Sequence, residues 1–235
     1  MDGTWHYSRN LIERMTPMPF SKHDDIGFLH FDDGKANAVS HDFIKEMHDG
    51  LDQAQSDCKA VVIMGREGKF SAGFDLSEFQ KGPEATTNLV NAGGKMLNRI
   101  FTLDMPVVAA STGHAIAAGC FLLLACDVRI GFEGNFKIGA NESMLGMALP
   151  KFASELVEYR IPRNHIDTAV LQAKLYNPTE AVAAGYLDEI VPAEQLKDRA
   201  FEVAAQLAAY PGNGYAMNKK ILRDEVAARI AASLD

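Results

Sequence analysis

The chain has 235 residues, 47% of them hydrophobic and 23% charged, enough to bury a full core in one large domain or in one domain with a small appendage. A formal net charge of −8 disfavours broad contact with nucleic acid or an anionic membrane surface, so any phosphate on a ligand must meet a local basic cluster. The longest strongly apolar stretch, residues 115–125, is too short to span a bilayer and the N-terminus lacks a signal-like apolar run, which together predict a cytoplasmic protein without a membrane anchor.

Residues 1–20 mix Trp5, His6, Arg9, Arg14, Pro17 and Pro19 without periodicity, as a flexible leader would. Residues 26–31 are apolar on both faces and run into Asp32-Asp33-Gly34, a buried strand followed by a turn. Ser40 suits the cap of a helix whose Phe43, Met47 and Leu51 recur every fourth residue. Residues 60–64 form a β-branched strand closed by Gly65. Leu89, Met96, Leu97, Ile100 and Phe101 then mark an amphipathic helix, and residues 106–110 a strand. Small residues 113–120 lead into an apolar helix over 121–126, followed by short β segments around 128–130 and 136–138. Strands alternating with helices predict an α/β architecture over residues 21–175.

Residues 176–235 read as helical. Asn177, Pro178, Thr179 and Glu180 are a helix start, with proline in the first turn and a carboxylate at the positive end of the dipole, and Gly185 can end that helix. Leu196, Ala200, Val203, Ala204 and Leu207 stripe a second helix. Leu222, Val226 and Ile230 stripe a third, facing either the body or another subunit. The three cysteines, Cys58, Cys120 and Cys126, are odd in number and two sit in an apolar run, so neither a disulfide framework nor a zinc site is expected; no metal-ligand spacing occurs elsewhere.

Three segments carry candidate chemistry. In residues 69–79 the turn Ser71-Ala72-Gly73 opens a helix for which Asp75 is a credible N-cap, leaving amides free to hold an oxyanion. The plainer explanation is that Gly73 relieves a strand-to-helix corner. In residues 112–120 small residues precede a buried helix and offer a second set of exposed amides, although close helix packing would also call for Gly119 and its alanine neighbours. Two such donors on one thioester oxygen would stabilise an enolate, and losing one typically raises the barrier by roughly 3 to 4 kcal/mol. In residues 136–146 Glu142 lies between a strand and the apolar Met144 and Leu145. That setting raises a carboxyl pKa and suits a group that takes and returns a proton; a solvent-facing loop glutamate is the alternative.

Together these segments resemble the crotonase (enoyl-CoA hydratase/isomerase) superfamily over about residues 26–193. The family pattern Phe-(Ser/Ala)-Ala-Gly-x-Asp is met by Phe70-Ser71-Ala72-Gly73-Phe74-Asp75, and Leu-x-x-x-Cys-Asp by residues 122–127. The resemblance implies a spiral of repeated ββα units with a C-terminal helical region, an acyl-CoA thioester substrate, and no cofactor beyond the coenzyme A carried by that substrate. It maps the two oxyanion amides to Ala72 and to Ala118, a position where the family usually has glycine. It places the substrate near Lys35, Asn37, Ala38, Ser71, Gly73, Asp75, Gly119 and Phe121, with Asp75 serving also as a helix cap and Asp127 as a helix-end acceptor. Lys219 and Lys220 are candidates for the coenzyme A phosphates, while His114 reads as a packed histidine. Family members form trimers or pairs of trimers, so a homotrimer or dimer of trimers is the expected assembly.

Hydratases of the superfamily use two glutamates, and the first of those positions is Phe121 here. The second is Glu142, within Ile138-Gly139-Ala140-Asn141-Glu142, which resembles the Ile-Gly-Leu-Asn-Glu of mitochondrial-type 3,2-trans-enoyl-CoA isomerases. The mechanism so implied is isomerisation in fatty-acid metabolism. Glu142 removes a proton from C2 of a 3-enoyl-CoA and returns it to C4, while Phe121, Met144 and Leu145 exclude water. Hydration, thioester hydrolysis and a non-catalytic acyl-CoA-binding subunit are the competing expectations.

Overall fold

In the computed structural model, which describes residues 18–234, three successive turns of chain between residues 60 and 139 each lay one strand in a large sheet and one in a small sheet. The elements begin with β1 (Phe20–His23), β2 (Ile26–His30), α1 (His41–Asp57), β3 (Ala60–Met64) and β4 (Gly68–Ser71). Next come α2 (Leu76–Phe79), α3 (Pro83–Thr102), β5 (Val107–Ala110), β6 (Gly113–Ile116), α4 (Ala118–Ala125), β7 (Val128–Phe132) and β8 (Ile138–Gly139). The chain finishes with α5 (Lys151–Arg160), α6 (Arg163–Val170), α7 (Pro178–Ala183), β9 (Glu189–Val191), α8 (Leu196–Ala208) and α9 (Gly214–Ala232).

The large sheet runs β1-β2-β3-β5-β7-β9 and the small one β4-β6-β8. All pairings are parallel except that of β1 with β2. The pairs β3-β4, β5-β6 and β7-β8 therefore advance together, which is the ββα spiral of the crotonase fold. Both faces of the large sheet are covered: Leu29, Val61, Ile63 and Val107 join the main core, while Ile26, Phe28, Val62 and Val108 pack under Leu196, Ala200 and Ala204 of α8. That double burial is why these strands read as unbroken apolar runs rather than as alternating ones.

Helix α1 is capped as its sequence predicts, with Ser40 Oγ accepting from the Phe43 amide at 3.1 Å. At α7 the capping box of Asn177 and Glu180 closes both ways. Every residue of α4 is buried, as expected of a helix apolar all round. None of the helices among the described residues is long and apolar enough to cross a membrane.

Three features differ from the sequence reading. Strands β4 and β6 fall in short segments that carry no clear period, and helices α5 and α6, whose Phe152, Leu156 and Val157 and Ile166, Ala169 and Val170 recur at helical spacing, lie outside the elements expected from the sequence. On α9, Ile230 is buried and Val226 packs against the core as expected, but Leu222 is 68% exposed, and Lys219, Arg223 and Ala227 complete the inward face. Two cations take the inward face because an acidic side chain, Asp127, awaits them there. Finally, residues 1–17 of the leader lie outside the described residues, while Met18 is buried in the core and Phe20 opens β1.

Candidate active site

Two corners of the spiral meet. The first is the turn after β4, held by the loop before α1: Ala72 N–H donates to Ala36 O (3.0 Å), Val39 N–H to Gly73 O (2.8 Å) and Asp75 N–H to Val39 O (3.1 Å). Within it Ser71 Oγ donates to Asn37 O at 2.7 Å and accepts the Gly73 amide at 3.2 Å. Of the amides from residue 72 to 75, Phe74 alone has no acceptor among the described residues. Gly73 takes φ +100°, which turns the next peptide outward. The Phe74 ring fixes that peptide from the other side, lying against α3 where a Cβ on Gly93 would fall 2.4 Å from it.

The second corner starts α4. Ala118 is its first residue, so its N–H has no intrahelical partner, and none is supplied elsewhere among the described residues. Ala117, ahead of it, holds φ 51° and ψ −124°, a conformation costly for a residue with a Cβ. It is locked there by its own N–H on Gly139 O (3.1 Å) and by the Cys120 and Phe121 amides on its carbonyl.

The corners are in contact. A Cβ on Gly73 would come 3.5 Å from the Ala118 nitrogen and 2.9 Å from the Ala117 Cβ, and one on Gly119 would fall 2.3 Å from Ser71 O. The close approach thus depends on glycine at 73 and 119.

Glu142 follows β8, three residues beyond the Gly139 carbonyl that anchors Ala117. It is 8% exposed, and its Oε2 is enclosed without a hydrogen-bond partner among the described residues. Burial pushes its pKa above the ordinary glutamate value, with the amides of Glu142 and Asn141 pulling the other way. Its charge is felt by the Cys120 thiol and the Tyr186 hydroxyl, both pushed up chiefly by burial. The arrangement is two free amides where two corners meet, and a desolvated carboxyl whose charge reaches Cys120 of α4.

Several sequence expectations change in detail. The Ala72 amide is spent on Ala36, so the available donor of this turn is that of Phe74, two residues on. The signal for it was a glycine forced to positive φ at a strand-to-helix corner, since the amide just after such a residue points away from the chain. Asn37 is 1% exposed and braces loops, donating to the carbonyls of Phe31, Lys69 and Phe70 and accepting from the Asp33 amide. With its amide group so engaged, its side chain is not free for a ligand. Ser71 is likewise fully buried, and Asp75 caps α2 by accepting the Ser77 amide at 2.9 Å. Lys35 is exposed and Ala38 partly so, with Arg66 donating to the Lys35 carbonyl. Phe121 is 1% exposed and packs edge-on against Phe152, but Met144 and Leu145 lie 65% and 57% exposed on a 3-10 turn and do not enclose Glu142. Lys219 is buried on Asp127 and the Met105 carbonyl, whereas Lys220 is exposed and pairs with Asp224. His114 accepts the Lys137 amide and stacks edge-on with Phe136, a packed histidine as read.

Comparison with known proteins agrees with this architecture. The family profile described as enoyl-CoA hydratase/isomerase matches residues 21–235. An enoyl-CoA hydratase/isomerase family protein from Pseudomonas syringae superposes with a TM-score of 0.91 at 35% identity, covering 93% of this chain and 95% of that one. Human mitochondrial enoyl-CoA delta isomerase 1 is 28% identical over 89% of this chain and 71% of its own length. A probable enoyl-CoA hydratase from Bacillus subtilis is 36% identical over 57% of this chain and 51% of its own.

Proposed function

This chain belongs to the enoyl-CoA hydratase/isomerase family and is an enzyme of that family, and from that premise we propose that it shifts the double bond of a 3-enoyl-CoA into conjugation with the thioester. The thioester oxygen sits between the amides of Phe74 and Ala118. Glu142, as carboxylate, takes a proton from C2; the electron pair delocalises into the dienolate held by the two amides, and the carboxylic acid returns the proton to C4. Coenzyme A enters as part of the substrate, and the exposed Lys35 and Lys137 and the partly exposed Lys69 are the cations offered to its phosphates in an otherwise acidic protein.

The observation that carries the reading is Glu142 itself: a buried carboxyl with an unpartnered oxygen, whose charge reaches Cys120 on the helix that Ala118 begins. Isomerisation needs one base, and the position where the family's hydratases have a second glutamate is the buried ring of Phe121. The relative named as an isomerase supports the same choice. Hydration is favoured by the Bacillus subtilis relative and makes a separate demand, a second group to activate water.

The test is to follow the conjugated thioester by its absorbance with a 3-enoyl-CoA, and hydration with a 2-enoyl-CoA. Glu142→Gln is expected to lose isomerisation by roughly 10²- to 10⁴-fold while remaining folded. Equal activity in that variant, or hydration faster than isomerisation, would refute the proposal.

A further inference from the structure

At the far end of α4 from Ala118, about 12 Å along an eight-residue helix, a cleft of about 510 Å³ opens between α9 and the end of α5. Its walls include Arg160, Lys219, Arg223, Asp127, Tyr159 and Tyr215. The lining set holds three cationic side chains against one carboxylate, an excess of two positive charges. Lys219 and Arg223 are 7% and 6% exposed. The nearby Arg129 is balanced by its own partner, Asp188, and brings no spare negative charge.

Asp127 cannot neutralise all three. It already accepts the Val107 amide (2.8 Å) and Lys219 (2.9 Å), and pairs with Arg223 (2.6 Å). The guanidiniums also have donors to spare. Arg160 uses Nε and Nη2 on the carbonyls of Leu124 and Cys126, and Arg223 uses Nη1 on Phe101 O. Nη1 of Arg160 and both Nε and Nη2 of Arg223 have no acceptor among the described residues, and none of them is enclosed by protein. Uncompensated charge so poorly hydrated is costly, and Arg160 is pushed down to about 10 by burial and by the neighbouring Arg129 and Arg223.

We infer that this cleft is an anion site for a phosphate monoester, the phosphate lying on the free guanidinium edges of Arg160 and Arg223. Planar forked donors suit phosphate oxygens, and a dianion cancels the excess charge. The cleft has the size of a small-molecule pocket rather than of one phosphate, and Tyr159, Tyr210 and Tyr215 offer faces for an organic group.

The experiment takes the full chain through thermal unfolding with inorganic phosphate or phenyl phosphate, against chloride at matched ionic strength. Asn218, exposed and part of the lining, is the position to alter, because Asn218→Glu places a fixed negative charge in the cleft without disturbing the buried cations. Both phosphates are expected to raise the unfolding midpoint saturably beyond chloride, phenyl phosphate at lower concentration. Asn218→Glu should weaken both by about tenfold or more. A rise no greater than with chloride, a rise unchanged by Asn218→Glu, or no advantage for the phenyl ester would each overturn the inference.

Discussion

The chemistry proposed for this enzyme rests on a carboxyl held where water does not reach it. Because burial raises the Glu142 pKa, the native state holds its proton more tightly than the unfolded chain does. The associated stability is fully present below the unfolded value of 4.5 and is lost as pH rises through the higher native one. Glu142→Gln cannot ionise, so at neutral pH it should be more stable than the parent by on the order of 1 kcal/mol, a difference that denaturant titrations should find gone below pH 4.5. Activity runs the opposite way: the carboxylate is the working form, so isomerisation should fall as pH drops, with its acid limb above the ordinary glutamate range. A limb at the ordinary value would mean that the base is solvated. At the same scale, Ala117→Gly relieves a φ of 51° and should stabilise the protein by about 1 kcal/mol in the same titration. A clear loss of stability would show that the Ala117 methyl packs more than it strains.

At the scale of elements the site is a contact between the turn after β4 and the first turn of α4. Gly119→Ala would drive a Cβ to 2.3 Å from Ser71 O. The variant should lose about 1 to 3 kcal/mol of stability and a larger share of its turnover, because prying the corners apart moves the Ala118 amide away from that of Phe74. Unchanged kinetics would mean that the corners need not touch. Much of this was legible from residues. The unbroken apolar runs of β2, β3 and β5 follow from burial on both faces, and Ser40, Asn177 and Asp75 announce their helices through capping chemistry. Strands β4 and β6 were not legible. They are short, and β6 is small and interrupted by His114, so neither shows a period of two. The donor of the first corner was misplaced because the sequence does not show that the loop at 36–39 returns to bind Ala72. Glu142 was singled out by its place between a strand and the apolar Met144 and Leu145 and by the resemblance, but those two neighbours are exposed and its burial comes from elsewhere.

Across the whole molecule, α9 is tied to the spiral by charge where its sequence suggested an apolar stripe. Asp127, at the end of α4, joins Lys219, Arg223 and the Val107 amide of β5. Asp127→Asn would strand buried cations and should cost about 3 to 5 kcal/mol, read as a lower unfolding midpoint; a loss under 1 kcal/mol would place those cations in effective contact with water. Met217, Ile221 and Leu222 of α9 are exposed. The inward cations were not legible in advance, because lysine and arginine on a helix usually face solvent. The claim on which the account turns is that one shielded carboxyl carries a proton from C2 to C4. Its most direct test is a 3-enoyl-CoA dideuterated at C2, turned over in ordinary water. We expect part of the deuterium to be recovered at C4 of the conjugated product; product carrying only solvent hydrogen at C4 would contradict a single base hidden from water.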